Sequence, residues 1–266
     1  MPELRRSFAM SHLPFSYEFR GDFFSPFVLG IDDLAGDNIS DRVAWSEGRG
    51  HYWLWKNVKF ADDEFVAINQ YRRCFFFFPL LGKGTPYERH AEHLHKVPTQ
   101  TIVHFTRAEY IDFVHYIESA DRAPLNEWLE SVDVVVNRPL EYQRPIGVIY
   151  GEHHRREDWE IFAQVCRRNG YDDGRHHFLT GHLMFLMRPA IFNEYMSAWW
   201  RVMSEVDQIV QHEDDPYQHR KIGYMSERFM SAWLLKMRLE RPSLRIQTLP
   251  IAEGLFQFDR PAQGGM

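Results

Sequence analysis

The sequence is poor in cysteine, has no excess of basic residues and contains no long apolar run. Its 266 residues include 2 cysteines, Cys74 and Cys166, too few for a disulfide framework or a cysteine-rich zinc site. The net charge of −6 disfavours a nucleic-acid-binding surface, which needs a basic face. The most apolar run, CFFFFPLL at 74–81, is far shorter than the ~20 residues that span a bilayer. These absences predict a protein that binds no nucleic acid and crosses no membrane.

Targeting signals and the common catalytic fingerprints are missing as well. The first residues, MPELRRSFAMSH, lack the apolar segment of a signal peptide, which predicts a cytoplasmic location. Association with the inner face of the cell membrane stays open. The sequence has no Walker loop, GxGxxG, GxSxG, HExxH or CxxC motif, which argues against the corresponding enzyme classes. The spacing of His90, His93 and His95 favours solvated surface histidines over a metal site, because no further ligand accompanies them.

The sequence is rich in aromatic residues, which make up 15% of the chain. Aromatic side chains fill cores, but they also stack on nucleobases and sugar rings. Composition cannot choose between these uses.

Apolar segments alternate with amphipathic ones along the chain. The predicted strands are 27–31, 65–69, 74–81, 132–136, 182–187 and 244–249. The predicted helices are 47–58, 106–117, 125–131, 157–168, 189–209 and 223–239. Residues 82–104 are polar and are expected to run over the surface. The pattern predicts one α/β domain over residues 1–260 with a mostly parallel, Rossmann-type sheet flanked by helices, followed by a flexible tail at 261–266.

A polar loop follows the first apolar strand. It contains Asp32, Asp33, Asp37, Asn38 and Ser40, and should lie at the carboxyl end of that strand, where α/β folds bind ligands. Carboxylates there could hold ribose hydroxyls or a divalent cation, which leaves Asp32 and Asp33 open as metal ligands. The alternative, favoured by spacing alone, is an ordinary Asx turn that caps the next helix.

Two further clusters contain groups suited to catalysis. Tyr71, Arg72 and Arg73 directly follow the predicted strand 65–69, and paired guanidinium groups match the oxygens of a phosphate. The alternative is that one arginine pairs with a carboxylate at the edge of the core. Glu227 lies near the start of the last predicted helix, either as a general base in a cleft or as a glutamate favoured by the helix dipole.

A histidine and an aspartate occur four residues apart. His154 and Asp158 fall on a predicted helix and should be able to meet as a pair.

Several segments, in this order and spacing, resemble one family. They are GDNIS at 36–40, Glu47 with YWLWKN at 52–57, QYRR at 70–73, H-x-x-x-D at 154–158, MFLM at 184–187, and SER at 226–228 with WL at 233–234. The family is a group of bacterial glycosyltransferases from capsular and exopolysaccharide clusters, long catalogued as a domain of unknown function. The resemblance covers about residues 11–250. The chain departs from the family pattern at Gln70, at Leu13 and at Leu183, where the family has His, Lys and Asn.

The resemblance implies a GT-A-like fold and transfer of a sugar from a UDP-sugar, with galactofuranose as one donor. The residues on matching positions are Asp37, Asn38, Ser40, Glu47, Tyr52, Trp55, Tyr71, Arg72, Arg73, His154, Asp158, Glu227 and Arg228. We expect the nucleotide over the 36–40 loop with Tyr52 or Trp55 as a base platform. Arg72 and Arg73 would neutralise the departing diphosphate. Glu227 is the expected base and Asp158 the second choice.

The expected acceptor is a polysaccharide or a lipid-linked glycan in capsule or exopolysaccharide biosynthesis. The arginines stand where many GT-A enzymes carry a metal-binding Asp-x-Asp, so an obligatory divalent metal is not expected. Two alternatives remain: a non-catalytic module of the same fold that binds nucleotide or glycan, and a scaffold protein of a polysaccharide-assembly complex that uses its aromatics as an interface.

Overall fold

The structure is a computed structural model that describes residues 3–212 and 215–256. The tail expected at 261–266 therefore lies outside the described residues. The strands are β1 (Ser7–Ser11), β2 (Phe24–Val28), β3 (Val66–Gln70), β4 (Arg73–Phe75), β5 (Ile102–Thr106), β6 (Val134–Asn137), β7 (Leu140–Glu141), β8 (Phe178–Leu179), β9 (Phe185–Met187), β10 (Ile246–Leu249) and β11 (Ile251–Leu255). The helices are α1 (Gly48–Asn57), α2 (Glu88–Lys96), α3 (Arg107–Ser119), α4 (Ala123–Glu130), α5 (Ile146–His153), α6 (Arg156–Arg168), α7 (Pro189–Ile209), α8 (Pro216–His219) and α9 (Lys221–Glu240).

The main sheet is mixed, so the expectation of a mostly parallel sheet is wrong. Its order is β10-β6-β9-β3-β4-β11-β5, with β1 beside β3 and β2 beside β1. Parallel pairs are β1 with β2 and β3, β6 with β10, and β5 with β11. Antiparallel pairs are β4 with β3 and β11, and β9 with β3 and β6. The tight turn after β3 forces β4 to run back beside it, and β9 enters between β3 and β6 in the opposite direction.

The central strands are buried on both faces, which explains their continuous apolar sequences. In β6, Val134 and Val136 contact one core and Val135 the other. The first core contains side chains of α1, α6, α7 and α9, and the second those of α2, α3 and α4. The chain is thus an α/β domain with helices on both sides of one sheet.

Local signals in the sequence locate several helices correctly. Thr106 and Glu109 form the expected capping box at the start of α3, each side chain bonding the other's backbone N–H. Residues 82–104 are mostly exposed or half-buried, as expected, and they form α2 and the first part of β5. The single strand expected at 74–81 is not formed, because β4 ends at Phe75 and a 3-10 turn follows at Phe78–Leu80.

No helix within residues 3–212 and 215–256 combines the length and the apolar character that a bilayer crossing requires.

Candidate active site

A cavity of about 480 Å³ lies where the parallel strands β1 and β3 end. The carboxyl ends of parallel strands are where α/β folds place ligands. The segment before α1, the turn between β3 and β4, and the first turns of α9 supply the rest of the lining. The lining residues are Ser11, His12, Leu13, Val43, Ser46, Glu47, Gln70, Tyr71, Arg72, Arg73, Arg220, Gly223, Tyr224 and Glu227.

The hairpin between β3 and β4 brings two arginines to this cavity. Arg73 is fixed by a buried carboxylate, since its Nε and Nη2 lie 2.7 and 2.5 Å from Glu253 Oε1. Arg72 Nε lies 3.9 Å from the same oxygen, and its side chain is 31% exposed. His104 Nδ1 lies 3.3 Å from the other oxygen of Glu253. Both predicted arginines therefore line the cavity, and Arg73 also forms the carboxylate pair that the alternative interpretation anticipated.

Glu227 faces the cavity from α9, beyond the first turn of that helix. This excludes the alternative of a glutamate held in the first turn by the helix dipole. Its Oε1 accepts a hydrogen bond from His182 N at 3.1 Å, and its Oε2 accepts one from Arg228 Nη1 at 3.1 Å. Burial raises the pKa of Glu227, and nearby Glu47 adds to that rise, while Arg228 opposes it. A half-buried carboxylate with a raised pKa that faces a cavity is suited to proton transfer.

Glu47 lines the same cavity one residue before α1 and is held by His12 and Arg220. Its Oε1 lies 3.0 Å from His12 Nε2, and its Oε2 lies 3.7 Å from Arg220 Nη2. Arg220 Nε also donates to Ser46 Oγ at 2.8 Å. Burial alone would raise the pKa of Glu47, but the His12 hydrogen bond and the charges of His12 and Arg220 lower it to about 2. Glu47 therefore stays ionised at physiological pH.

Two tyrosines provide the aromatic part of the lining. Tyr71 and Tyr224 both line the cavity, and burial raises the pKa of each hydroxyl. The Tyr224 ring centroid lies 4.5 Å from that of His154 and 5.3 Å from that of Tyr217. The rings of Tyr71 and Tyr224 are thus placed to contact a ligand's ring in the cavity.

The 36–40 loop lies outside the cavity lining, and its polar groups bond one another. Asp37 Oδ1 accepts from the Tyr52 hydroxyl at 3.0 Å. Asn38 Oδ1 accepts from Ser40 Oγ at 2.8 Å and from Ser40 N at 3.2 Å. Asn57 on α1 bonds the backbone of Asp37 in both directions. The bond from Ser40 N to Asn38 is that of an Asx turn, as the alternative interpretation proposed, but neither the 3-10 turn at Val43–Trp45 nor α1 has the side-chain cap that this interpretation expected.

The two aromatic residues expected as a base platform also lie outside the lining. Tyr52 is buried, with its ring centroid 4.6 Å from that of Trp200. Trp55 is half-buried, and Lys56 Nζ lies 3.6 Å from its ring centroid.

His154 and Asp158 do not share a helix, which corrects the sequence-based expectation. His154 follows the end of α5 in an extended conformation, whereas Asp158 lies in α6. Asp158 Oδ2 is 2.6 Å from Lys221 Nζ, and both side chains are buried. Asp158 therefore anchors the start of α9 and does not line the cavity. Arg228 lies beside the lining, where its Nη1 also donates to Tyr224 O at 2.9 Å.

The carboxylates proposed as metal ligands bond the backbone of their own loop. Asp32 Oδ2 accepts from Val28 N at 2.6 Å, and the fully buried Asp33 accepts from Gly30 N at 2.5 Å. Among the described residues, no group of three or more His, Cys, Asp or Glu side chains could hold a metal ion. These side chains do not fit a metal site.

Two lining residues, His12 and Arg220, carried no interpretable signal in the sequence. His12 follows β1, a strand that the sequence did not predict. Arg220 precedes α9 without a local motif. Their role depends on tertiary packing around Glu47.

Comparison with known proteins identifies the fold and the family. A solved apo structure of WbbM, described as a bifunctional glycosyltransferase, matches with a TM-score of 0.75 and 17% identity. The match covers 96% of this chain and 46% of that one, so this chain spans about half the length of WbbM. No curated protein matches the chain. The model of DUF4422, a domain of unknown function, matches residues 28–238, and the chain therefore belongs to the DUF4422 family.

Proposed function

We propose that this protein is a glycosyltransferase that transfers a sugar from a UDP-sugar to a polysaccharide or a lipid-linked glycan. One observation carries the proposal: a cavity at the strand ends combines arginines from two separate segments with a half-buried carboxylate of raised pKa. The fold similarity to WbbM supports sugar transfer as the reaction class. A hexose such as galactofuranose and a pathway of capsule or exopolysaccharide assembly follow from the family resemblance.

Arg72 and Arg220 are the proposed ligands of the donor diphosphate. Both line the cavity, and their side chains are 31% and 41% exposed. Arg73 contributes its charge from a position fixed by Glu253. Guanidinium groups bind phosphate oxygens with charge-assisted hydrogen bonds and stabilise the negative charge that grows as the diphosphate leaves. Tyr71 or Tyr224 would stack on a ring of the donor.

Glu227 is the proposed general base. It would accept the proton of the acceptor hydroxyl while the oxygen bonds to the sugar and the bond to the diphosphate breaks. Glu47 is suited to a different task, since a carboxylate that stays ionised can hold His12 and Arg220 in place. Enzymes commonly use two carboxylates of one site for different roles when their surroundings shift the two pKa values in opposite directions.

The first experiment measures binding and release across a panel of UDP-sugars. Thermal stabilisation reports donor binding, and release of UDP in the presence of glycan acceptors reports transfer. Stabilisation without release would favour the non-catalytic module, and no stabilisation by any donor would favour the scaffold.

Three variants then assign the roles. We expect Arg72→Ala and Arg220→Ala each to weaken UDP binding by roughly ten- to a hundredfold, because each removes charge-assisted hydrogen bonds. Glu227→Gln should lower transfer by about 10²- to 10⁴-fold and leave UDP binding unchanged. Arg201→Ala on α7 and Glu240→Gln at the end of α9 are matched controls outside the cavity. Wild-type turnover by Glu227→Gln would remove Glu227 as the base.

A further inference from the structure

Gln70 connects the arginine hairpin to the proposed base through one side-chain amide. Its Oε1 accepts from Arg73 Nη1 at 2.8 Å, and its Nε2 donates to His182 O at 2.7 Å. The backbone N of His182 in turn donates to Glu227 Oε1 at 3.1 Å. A continuous hydrogen-bonded path therefore runs from β4 through the end of β3 to α9.

The backbone at the centre of this path has an uncommon conformation. His182 and Leu183 have φ values of 70° and 49°, in the left-handed region that residues other than glycine rarely occupy. Such a turn persists only where surrounding contacts hold it. Here the backbone N and O of His182 are both bonded, to Glu227 and to Gln70 respectively.

We propose that Gln70 is a positioning residue, which fixes the separation of Glu227 and Arg73 by holding the 182–183 turn between them. This inference rests on the proposed function, in which Glu227 is the base and the arginines bind the diphosphate. Gln70 suits this task because an amide can accept a hydrogen bond from a guanidinium group and donate one to a carbonyl at the same time. Neither glutamate nor methionine can do both.

Two substitutions separate the two ends of the Gln70 side chain. Gln70→Glu keeps an acceptor for Arg73, but its ionised carboxylate cannot donate to His182 O and is repelled by it. Gln70→Met has a similar length and lacks both hydrogen bonds. Gln247→Glu, an exposed glutamine on β10, is the matched control for the added charge. Circular dichroism establishes that each variant is folded.

The kinetic test separates kcat from KM. We expect Gln70→Glu to lower kcat by about tenfold to a hundredfold because the base is displaced, and to raise the donor KM because its carboxylate adds a negative charge to the cavity lining. Gln70→Met should lower kcat similarly and also raise the donor KM by about tenfold, because Arg73 loses a partner. A change in donor KM alone, with kcat intact in both variants, would overturn the proposal.

A second readout does not depend on turnover. Protein labelled with ¹³C at the glutamate carboxyls is titrated by NMR, and the Glu227 signal is assigned by its absence from Glu227→Gln. The charged groups facing Glu227 are Arg228, Glu47 and Arg73. Both Gln70 variants should raise the measured pKa of Glu227 by about half a unit or more, because the His182 N–H bond favours the ionised form.

The titration tests the positioning role of Gln70 separately from the proposed glycosyltransferase function. If the wild-type protein turns over no donor, the proposed function fails, and the titration still decides whether Gln70 positions Glu227. A Glu227 titration identical in the wild type and both Gln70 variants would overturn the positioning role, whatever the activity.

Discussion

Glu47 and Glu227 line one cavity, and their surroundings move their pKa values in opposite directions. Glu47 has His12 and Arg220 as partners, so its ionised form is stabilised despite burial. Glu227 is half-buried beside a backbone N–H and Arg228, and the effect of burial on its pKa prevails over theirs. The ionised form of Glu227 is therefore held at a cost to the folded state at neutral pH, as is typical of groups kept for proton transfer.

The raised pKa of Glu227 predicts how the stability of the Glu227→Gln variant depends on pH. Because the folded-state pKa lies above the ordinary value of 4.5, ionised Glu227 destabilises the fold once the pH exceeds that value. Glutamine resembles the protonated carboxyl at every pH. We expect the variant to match the wild type in free energy of unfolding at about pH 4 and to exceed it at about pH 8. Urea unfolding at both pH values measures this, and an equal difference at both would contradict it.

At the residue scale the sequence predicted part of the lining. Arg72, Arg73 and Glu227 were identified because charged groups beside apolar segments are visible in a single sequence, whereas Glu47 was identified only through the family resemblance. The 36–40 loop carries equally suitable side chains, yet Asp37 bonds Tyr52 and lies outside the lining. Sequence alone cannot show whether a polar group bonds its own loop or a ligand.

At the scale of elements, the sequence predicted features that depend on neighbouring residues of one helix, but it did not predict which distant strands pair. The capping box of α3 specified its first residue. By contrast, β1 and β11 have short sequences without clear alternation, and both are defined by partners distant in the chain. The direction of β9 is likewise set by its neighbours β3 and β6. These tertiary pairings also bring His12 to the cavity.

The close approach of α9 to the segment before α1 gives a second prediction. A Cβ added at Gly223 would lie 2.7 Å from Ser46 Cβ, whereas one added at Gly151 in α5 would meet nothing nearer than 4.0 Å. Alanine is the better helix former, so Gly151→Ala should stabilise the protein by about 0.5–1 kcal/mol. Gly223→Ala should instead destabilise it by about 1–3 kcal/mol, because α9 must move away from Ser46.

Thermal and urea unfolding of both variants provide the measurement. Since Gly223 precedes Glu227 on the same helix and lines the cavity, Gly223→Ala should also lower UDP affinity and transfer. Stabilisation by both alanines would show that α9 does not need this close contact.

At the scale of the whole molecule, the cavity is assembled from four distant stretches of chain. They are 11–13, 43–47, 70–73 and 220–227, which come together because β1 and β3 end side by side and α9 packs against the segment before α1. The buried pair of Lys221 and Asp158 fixes the start of α9 against α6. A ligand in the cavity therefore contacts segments that lie more than two hundred residues apart in the sequence.

This arrangement predicts where UDP should slow amide hydrogen exchange. A ligand that binds only the folded site stabilises it against local opening, by about 2.7 kcal/mol at a hundred times its dissociation constant. We expect protection in all four stretches and none in α2, which contacts the other core. The Arg72→Ala and Arg220→Ala variants should each show less UDP-dependent protection in all four stretches, because one bound ligand contacts them all. Protection centred on residues 36–40 would instead place the nucleotide over that loop, and would show that the arginine-lined cavity binds some other part of the substrates.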